Sequence, residues 1–408
     1  MTNEVFFTVI IPTRERHDTL VHAINTVLCQ DYNNFEILVS DNASLDKTRS
    51  VVESFKDTRL RYIRTDNRIS MSHNWEFAIN HVVDGWITIL GDDDGMLPGA
   101  LNSVNSIILN TGTTAIRSNG CSYLWPGING SLHGRMSTSL RRGYEIRKSC
   151  KWLQLVIDGR ADYKELPMLY NGGFVSLALV NRAKKQTGNF FLSMTPDVYS
   201  AIVFSFLTEE YVYSHEPLSI NGASLHSGGT AGFERVKSVR PYDPAEKFFS
   251  EDNIPFYFKL PLTRSGRPVR SIPVLIYEAF LQAKSFHKLK KIRTSDFKQI
   301  VIAIKQSGPC PQEIREWIED FALQNQIDLP KNYLASGFFL LRIYIRFANF
   351  LSQALSSSSI RGSDRIPLHT VFEASLIAGF IIAYPPSFLT RIVLRINHLF
   401  QDLKCLRK

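Results

Sequence analysis

Trp86-Ile87-Thr88-Ile89-Leu90-Gly91-Asp92-Asp93-Asp94 is an apolar run that ends in three consecutive aspartates. Its length and apolar content predict a buried strand, and Gly95 and Pro98 predict the turn that ends it. Neighbouring carboxylates repel each other, and each raises the pKa of the next unless a cation neutralises them. We favour a divalent metal that also binds a phosphate. The alternative is a solvated acidic turn that caps the helix expected after Pro98.

Strands and helices alternate from the start of the chain up to this run. The predicted strands cover residues 5–11, 35–40 and 60–64, and the predicted helices cover 18–28, 45–55 and 72–83. The short connections between them indicate an α/β fold, with a Rossmann-like, mostly parallel sheet flanked by helices. Right-handed crossovers then bring Pro12-Thr13-Arg14, Asp41 and the aspartates to one edge of the sheet, where ligands of such sheets bind.

This edge has the outline of a nucleotide site that lacks the usual phosphate loop. The sequence contains neither a G-x-G-x-x-G motif nor a Walker A motif. The phosphates of a nucleotide would therefore have to be bound through a metal, and the aspartates are the residues that would hold it.

Three blocks of this sequence together resemble the family 2 glycosyltransferases. They are Thr8-Val9-Ile10-Ile11-Pro12-Thr13-Arg14, then Ile37-Leu38-Val39-Ser40-Asp41-Asn42-Ala43-Ser44, and Asp92-Asp93-Asp94 followed by Leu97-Pro98. The resemblance covers roughly residues 5–230, and the order and spacing of the blocks make it specific. It implies the GT-A fold, a nucleotide-sugar donor and a divalent metal, Mn²⁺ or Mg²⁺.

The resemblance also implies roles for individual residues. The residues implied in nucleotide-sugar binding are Pro12, Thr13, Arg14, Asp41, Asp92 and Asp93. Among them, Asp41 would hold the base, and either Asp92 or Asp93 would reach the ribose. Asp94, the last residue of the D-x-D motif, would bind the metal. Members of the family often carry a further Asp just before the motif, where this chain has Gly91.

Two residues further along the chain complete the set that the resemblance implies. The family's base is an acidic residue at the start of a helix about a hundred residues past the metal motif, and Asp197, after Pro196, fits that place. A helix N-terminus would keep this carboxylate ionised and able to accept a proton, although an Asp there also serves simply to stabilise the first turn. His226, in the glycine-bearing loop 221–229, is a candidate metal ligand, and its alternative is an ordinary surface position.

These assignments imply an inverting glycosyltransferase, because one base and direct displacement invert the anomeric carbon. The chain has no Q-x-x-R-W motif, the signature of the family's processive synthases, so we expect one sugar to be moved per encounter. The expected donor is a UDP-sugar, and the expected acceptor is a saccharide or a lipid-linked oligosaccharide in cell-surface polysaccharide synthesis. Residues that could shape an acceptor cleft are Trp125, Trp152, Tyr163, Tyr170 and Gly172-Gly173, each of which could equally be a core or turn residue.

Charge divides the chain of 408 residues into two parts. Residues 1–258 hold 25 Lys and Arg against 28 Asp and Glu, a net charge of −3, whereas residues 259–408 hold 22 against 10, a net charge of +12. We therefore predict a GT-A domain over residues 1–245 and a basic helical region over residues 246–408. Within the second part we expect a basic helical stretch over 284–298 and an acidic one over 313–328.

Two apolar segments, 333–355 and 371–389, are the last features of the basic region. Neither is an uncharged stretch of the ~20 residues that span a bilayer. They suit helices that lie peripherally on an anionic membrane surface, and equally a helical bundle packed on the GT-A domain or another subunit. Nucleic-acid binding ranks last, because the aromatic residues are not interleaved with Lys and Arg. Five Cys without a paired pattern and an N-terminus without a signal peptide predict a cytoplasmic location, and the apolar segments allow a peripheral position on the inner membrane face.

Two other function classes remain as alternatives. A nucleotidyltransferase would be expected to show a glycine-rich basic loop after the first strand, and residues 12–16 contain no glycine. A non-catalytic binding or assembly module would have no reason to keep Asp41, Asp92, Asp94 and Asp197 at these places.

Overall fold

The computed structural model of this chain describes residues 4–128, 131–227, 248, 251, 253–307, 312–329, 356–363, 366, 368–387, 390 and 391. The strands are β1 (Phe7–Thr13), β2 (Phe35–Asp41), β3 (Leu60–Arg64), β4 (Trp86–Ile89), β5 (Gly95–Met96), β6 (Ala115–Ser118), β7 (Cys121–Leu124), β8 (Arg135–Ser139), β9 (Tyr144–Lys148), β10 (Gly173–Ser176), β11 (Glu210–Ser214), β12 (Ser219–Ala223) and β13 (Ser357–Arg361). The helices are α1 (His17–Leu28), α2 (Thr48–Ser54), α3 (Met71–Ile79), α4 (Ala100–Thr111), α5 (Ser149–Ile157), α6 (Leu177–Thr187), α7 (Pro196–Leu207), α8 (Ile272–Gln282), α9 (Asp296–Ser307), α10 (Gln312–Gln324) and α11 (Val371–Ala383).

Eight of the strands form one sheet in the order β3-β2-β1-β4-β10-β6-β11-β9. The pairs β3–β2, β2–β1, β1–β4 and β6–β11 are parallel, whereas β10 and β9 run antiparallel to their neighbours. The two faces of the sheet pack against separate groups of buried apolar side chains, one with α1 and α4 and the other with α3, α6 and α7. The predicted α/β fold of the GT-A type, with a mostly parallel sheet flanked by helices, is confirmed.

A second sheet of five strands, in the order β13-β8-β7-β12-β5, lies beside the first. It has no counterpart in the predicted elements, because its strands are short and their pairing is non-local. β12 pairs with β5, which directly follows the aspartates, and continues past them along β7. The second sheet therefore carries β12 across the turn that holds Asp92–Asp94.

Helices α8 to α10 extend the core of the first sheet. Buried apolar residues from all three belong to the same cluster as α7, and Glu278 of α8 receives hydrogen bonds from Ser193 and from the backbone of Tyr257. The predicted basic helix over 284–298 is wrong. A 3-10 helix covers Ala283–Leu289, α9 begins at Asp296, and Gln154 binds the backbone of Arg293 between them.

Helix α11 covers most of the second apolar segment that was predicted near the C-terminus. One side packs against the second sheet and α1, whereas Leu376, Phe380 and Tyr384 are exposed. The other apolar segment, 333–355, lies outside the described residues. Among the helices that the structure describes, none has the length and apolarity needed to cross a membrane. The proposed boundary near residue 245 stays a prediction.

Candidate active site

The three aspartates lie in a tight turn after β4, at the carboxyl edge of the sheet. β4 ends at Ile89, and the backbone N–H of Asp94 donates to the carbonyl of Gly91 at 3.1 Å. All three aspartate side chains are buried. Buried charge is costly unless it is paired or hydrogen-bonded, so the neighbours of each carboxylate indicate its role.

Asp92 is neutralised by Arg16, a residue that the sequence did not single out. Its Oδ2 accepts a hydrogen bond from Thr13 Oγ1 at 2.8 Å, and its Oδ1 pairs with Arg16 Nη1 at 2.8 Å. Glu15 has a φ of 55°, so the chain turns sharply between β1 and α1. Burial raises the pKa of Asp92, and the charge of Arg16 opposes that shift. Because this cation belongs to the protein, Asp92 needs no metal to balance its charge.

Asp94 is surrounded by protein donors on both of its oxygens. Oδ1 accepts from Gly222 N at 2.6 Å and Asn221 Nδ2 at 3.3 Å. Oδ2 accepts from Tyr170 Oη at 2.9 Å and Gly91 N at 3.0 Å. Burial raises the pKa of Asp94 to about 8. Since a carboxylate offers about four acceptor sites, these surroundings argue against the predicted metal role of Asp94.

Two glycines allow the backbone to pack this closely. A Cβ at Gly91 would lie 2.5 Å from Oδ2 of Asp94, and a Cβ at Gly222 would lie 1.7 Å from the backbone oxygen of Asp93. The backbone of β12 can therefore approach the backbone of Asp93 this closely only because residue 222 has no side chain. An aspartate at position 91, frequent in the family that the sequence blocks resemble, would not fit this packing.

Asp93 is the aspartate that keeps capacity for a ligand. Its Oδ2 accepts from the hydroxyls of Ser224, at 2.6 Å, and Ser227, and its backbone oxygen accepts from Trp125 Nε1 at 2.9 Å. Within the described parts of the chain, no donor is bonded to its Oδ1. Mg²⁺ and Mn²⁺ prefer such carboxylate oxygens, so Asp93 has the chemistry of a metal ligand.

His226 belongs to the same loop as the two serines, but its ring pairs with another element. Its Nε2 lies 3.8 Å from Oδ2 of Asp18 on α1, and its backbone oxygen accepts from Arg16 Nη2. The hydrogen bond with His226 lowers the pKa of Asp18. These contacts give no support to the predicted metal role of His226.

Among the residues that the structure describes, no group of three or more His, Cys, Asp and Glu side chains is arranged to hold a metal. A metal that binds a diphosphate needs only one or two protein carboxylates, because phosphate oxygens and water complete its coordination. The single available oxygen of Asp93 fits that mode.

Asp41 ends β2, at the same edge of the sheet. It is 1% exposed, and its carboxylate accepts from Ser44 N at 3.0 Å and from Tyr62 Oη at 2.6 Å. Arg64 Nε lies 3.6 Å from Oδ2. Asp41 is therefore held rigidly, with part of its acceptor capacity already used.

The three residues predicted at the end of β1 have different environments. Pro12 and Thr13 lie within β1, beside Ser40 and Asp41 of β2. Arg14 follows directly and forms an ion pair with Glu251, a residue from beyond the first sheet. The structure thus brings the predicted residues of the first two blocks to one edge.

Asp197 lies in the first turn of α7, one residue after Pro196, as predicted. Its half-buried carboxylate accepts a hydrogen bond from Tyr163 Oη at 3.1 Å. Burial raises the pKa of Asp197, and the backbone N–H of Val198 and the hydroxyl of Tyr163 oppose that shift. Burial therefore outweighs the helix N-terminus, contrary to our expectation. A raised pKa makes a carboxylate a better proton acceptor near neutral pH.

Tyr170 connects the two acidic parts of the site. Its hydroxyl donates to Asp94, and its pKa is raised by burial and by the charges of Asp94, Asp93 and Asp197. Charges act strongly only over short distances in a protein. The same loop contacts α7, because Leu169 N donates to Ser200 Oγ at 3.1 Å and Ser200 Oγ donates to the carbonyl oxygen of Asp197 at 2.8 Å. One loop therefore links the aspartate turn to the first turn of α7.

The other aromatic residues suggested for an acceptor cleft have structural roles. Trp125 is buried against the aspartate turn, and the ring of Trp152 lies 3.9 Å from the guanidinium of Arg147. A Cβ at Gly173 would lie 1.8 Å from the backbone oxygen of Met168, so this glycine serves a close backbone approach. Of the predicted cleft residues, Tyr163 and Tyr170 are the ones that bond site carboxylates.

Comparison with known proteins finds a family match over the segment that carries Asp41 and the aspartate turn. Residues 8–151 match the family model described as glycosyl transferase family 2. The crystal structure of residues 1–349 of S. aureus TarS in complex with UDP-GlcNAc is 14% identical, covers 80% of this chain and 82% of that chain, and has a TM-score of 0.48.

Three curated relatives come from bacteria. The GalNAc(5)-diNAcBac-PP-undecaprenol beta-1,3-glucosyltransferase of Campylobacter jejuni is 35% identical over 99 residues, which are 24% of this chain and 32% of the relative. The putative colanic acid biosynthesis glycosyl transferase WcaA of Escherichia coli K12 is 30% identical, over 25% of this chain and 37% of its own length. The UDP-Glc:alpha-D-GlcNAc-diphosphoundecaprenol beta-1,3-glucosyltransferase WfgD of Escherichia coli is 26% identical, over 29% of this chain and 46% of its own length. The matched segments thus span less than half of each relative. Over residues 8–151, about a third of its length, the chain is similar to glycosyl transferase family 2.

Proposed function

We propose that this protein is an inverting glycosyltransferase that moves one sugar from a nucleotide-diphosphate sugar to a hydroxyl of a saccharide or lipid-linked acceptor. The observation that carries the proposal is the link that the loop of Leu169 and Tyr170 makes between the aspartate turn and the first turn of α7, which hold Asp93 and Asp197. One carboxylate keeps an oxygen for a cation, and the other is a half-buried acid with a raised pKa. These are the two functions that sugar transfer from a diphosphate requires.

For the metal, we revise the predicted ligand from Asp94 to Asp93. The four donors around Asp94 would have to be broken to free it, whereas Oδ1 of Asp93 is available. A Mn²⁺ or Mg²⁺ ion held there would offset the negative charge that builds up on the departing diphosphate. His226 is left out of the proposed set, since its ring pairs with Asp18.

For the chemical step, Asp197 accepts the proton of the acceptor hydroxyl. The acceptor oxygen then forms a bond to the anomeric carbon, and the bond from that carbon to the diphosphate oxygen breaks. The nucleoside diphosphate leaves with the bonding electrons. A single displacement from the opposite face inverts the configuration, and its base needs a pKa near the working pH, which the burial of Asp197 favours.

For the donor nucleotide, we propose that Pro12, Thr13, Arg14 and Asp41 line the base and ribose pocket, with Asp92 beside it. Their shared position at the ends of β1, β2 and β4 supports this assignment, because open α/β sheets bind ligands there. Arg16 would keep Asp92 neutralised next to the negative phosphates. A UDP-sugar is the donor we favour, in line with the printed name of the WfgD relative.

For the acceptor, relatives from two species carry diphosphoundecaprenol-linked sugars in their names. We propose that this chain acts in cell-surface polysaccharide synthesis on an acceptor of the same kind. We further propose that it contacts the inner membrane face peripherally through α11. Phe380 and Tyr384 are 65% and 70% exposed on that helix, and Arg142 binds the carbonyl of Ile382 near its end.

Sedimentation with lipid vesicles tests the membrane contact. We expect binding to vesicles that contain an anionic lipid and weaker binding when Phe380 and Tyr384 are both replaced by Ser. Leu323→Ser is the matched control, because Leu323 is an exposed apolar residue on α10. Equal binding of all three proteins would contradict the assignment.

A thermal-shift panel tests the activity proposal at the level of donor binding. UDP, GDP, dTDP and CMP would each be added with and without Mn²⁺ to the wild type and to Asp93→Asn. We expect one diphosphate, UDP, to stabilise the wild type only when the metal is present, and the variant to lose the effect. If no nucleotide shifts the melting temperature, a non-catalytic binding module becomes the better account. Release of pyrophosphate from a nucleoside triphosphate would instead favour a nucleotidyltransferase.

A further inference from the structure

We propose that Tyr163 is a positioning residue that holds the carboxylate of Asp197 in its reactive orientation. The inference rests on the proposed function, in which Asp197 is the base. Tyr163 Oη donates to Asp197 Oδ2 at 3.1 Å, and both side chains are half-buried. The contact joins residues 34 positions apart, so the tertiary fold creates it.

The turn that carries Tyr163 is anchored from several directions. It is a 3-10 helix, Tyr163–Glu165, capped by the side chain of Asp162, which accepts from Lys164 N at 2.9 Å. Arg117 Nε of β6 donates to the carbonyl of Lys164 at 2.6 Å. From β11, Tyr211 Oη donates to the carbonyl of Glu165 at 2.6 Å. A support held this firmly keeps the phenol in place before substrate binds.

The phenol can act only as a donor toward Asp197. Burial, followed by the charge of Asp197, raises the pKa of Tyr163 well above its ordinary value. The hydroxyl therefore keeps its proton throughout the pH range in which enzymes work. The bond to Oδ2 restrains the rotation of the carboxylate that takes the acceptor's proton. A base is effective only when its reacting atom is aligned with the proton that it removes.

The charged groups around Asp197 define what a pH experiment reports. Lys164, on the same 3-10 turn as Tyr163, favours the ionised carboxylate, as do Tyr163 itself and the backbone of α7. Tyr170, on the loop before β10, feels the charge of Asp197. The charge of Arg117 of β6 lowers the pKa of Tyr163, so Arg117 affects Asp197 only through Tyr163. Removal of the phenol leaves the other groups in place and takes away a bond to the ionised form.

The experiment compares Tyr163→Phe with Tyr199→Phe in the full chain. Tyr199 is a fully buried tyrosine of α7, and no hydrogen-bond partner for its hydroxyl is found among the described residues. Sugar transfer would be followed as a function of pH, with kcat and the KM for the donor measured separately. For Tyr163→Phe we expect a fall of about 10- to 100-fold in kcat with the donor KM unchanged. We also expect the acid limb of the kcat/KM profile to move to higher pH, because a bond to the ionised form is lost. Tyr199→Phe should behave as the wild type.

A second modified protein shows whether the effect of Tyr163→Phe comes from the lost hydrogen bond or from a folding defect. Incorporation of 3-fluorotyrosine at position 163 keeps the size and the hydroxyl but makes the phenol a stronger donor, so the acid limb should move to lower pH. If the acid limb of the kcat/KM profile is unchanged in both proteins and kcat equals that of the wild type, the positioning role is wrong. Failure of the proposed function looks different, because the wild type itself would then transfer no sugar from any donor that binds.

Discussion

The aspartate turn after β4 and the first turn of α7 satisfy their carboxylates in different ways. In the aspartate turn, Asp92 is paired with Arg16 and Asp94 receives four hydrogen bonds. At the start of α7, Asp197 has one phenol and the backbone of its own helix. Asp93 lies between these extremes, because one of its oxygens is bonded by two serines and the other is open.

The difference teaches how to tell structural carboxylates from reactive ones in one site. A buried carboxylate whose two oxygens both accept bonds from the protein holds other groups in place, and its replacement costs stability. A carboxylate with an open oxygen can bind a cation or a proton. By this criterion we propose that Asp92 and Asp94 support the site and that Asp93 and Asp197 contact the substrates.

The largest effect is expected for Asp197→Asn. An amide cannot accept the acceptor's proton, so kcat should fall by about 10²- to 10⁴-fold. The metal-dependent stabilisation by UDP should stay as in the wild type, because Asp197 takes no part in donor binding. If Asp197→Asn also loses nucleotide binding, then Asp197 contributes to donor binding as well as to the chemical step.

The pair Asp93→Asn and Asp94→Asn tests the comparison within the turn itself. Asp93→Asn should lower kcat by about 10²- to 10³-fold and abolish the metal-dependent binding of UDP, with little change in stability. Asp94→Asn should lower the free energy of unfolding by about 2–4 kcal/mol, because donors around it lose their acceptor. Urea unfolding and titration with Mn²⁺ would measure both quantities. The reverse pattern would restore Asp94 as the metal ligand.

Gly222→Ala tests whether β12 supports the turn. The added Cβ would lie 1.7 Å from the backbone oxygen of Asp93, so the strand has to move away from the aspartates. We expect a loss of about 1–3 kcal/mol of stability, measured by urea unfolding, and weaker metal-dependent binding of UDP. Gly120→Ala is the control, since a Cβ there meets no atom within 4 Å. Equal behaviour of the two variants would mean that the turn tolerates displacement of β12.

The smallest effect is expected at Glu278, a buried carboxylate outside the site. Burial raises its pKa to about 7, above the value of an exposed Glu. Protonation of Glu278 thus favours the folded state fully below about pH 4, and this advantage is lost as the pH rises through 7. Glu278→Gln should raise the melting temperature by about 2–4 °C at pH 8 and have no such benefit at pH 4. A benefit of equal size at both pH values would show that ionisation is not its cause.

The first half of the sheet could be predicted closely from the sequence, and the second half could not. β1, β2 and β4 are mostly apolar and buried, and helices separate the strands from one another, so local patterns mark them. In contrast, β6 and β10 are four residues each and pair across more than fifty positions of chain. Such strands are stabilised by their partners, and a local pattern cannot show which segments will meet.

The site shows the same division at the level of single residues. Asp41 and the aspartate turn could be located from the strands that they follow, whereas Asp197 was implied by the family resemblance. The sequence analysis missed Arg16 and did not assign Tyr163 to Asp197. The two arginines at Arg14-Glu15-Arg16 were a signal that a cation lies near the acidic residues, but only the turn at Glu15 shows which carboxylate it pairs with.

What the sequence by itself determined is therefore the family, the α/β fold and the edge of the sheet at which the acidic residues gather. These follow from local apolar periodicity and from the order of three short blocks. The tertiary structure alone decided what each carboxylate does there. The charge, hydrogen bonding and pKa of a buried acid depend on groups that arrive from distant segments, such as Gly222 for Asp94 and Tyr163 for Asp197.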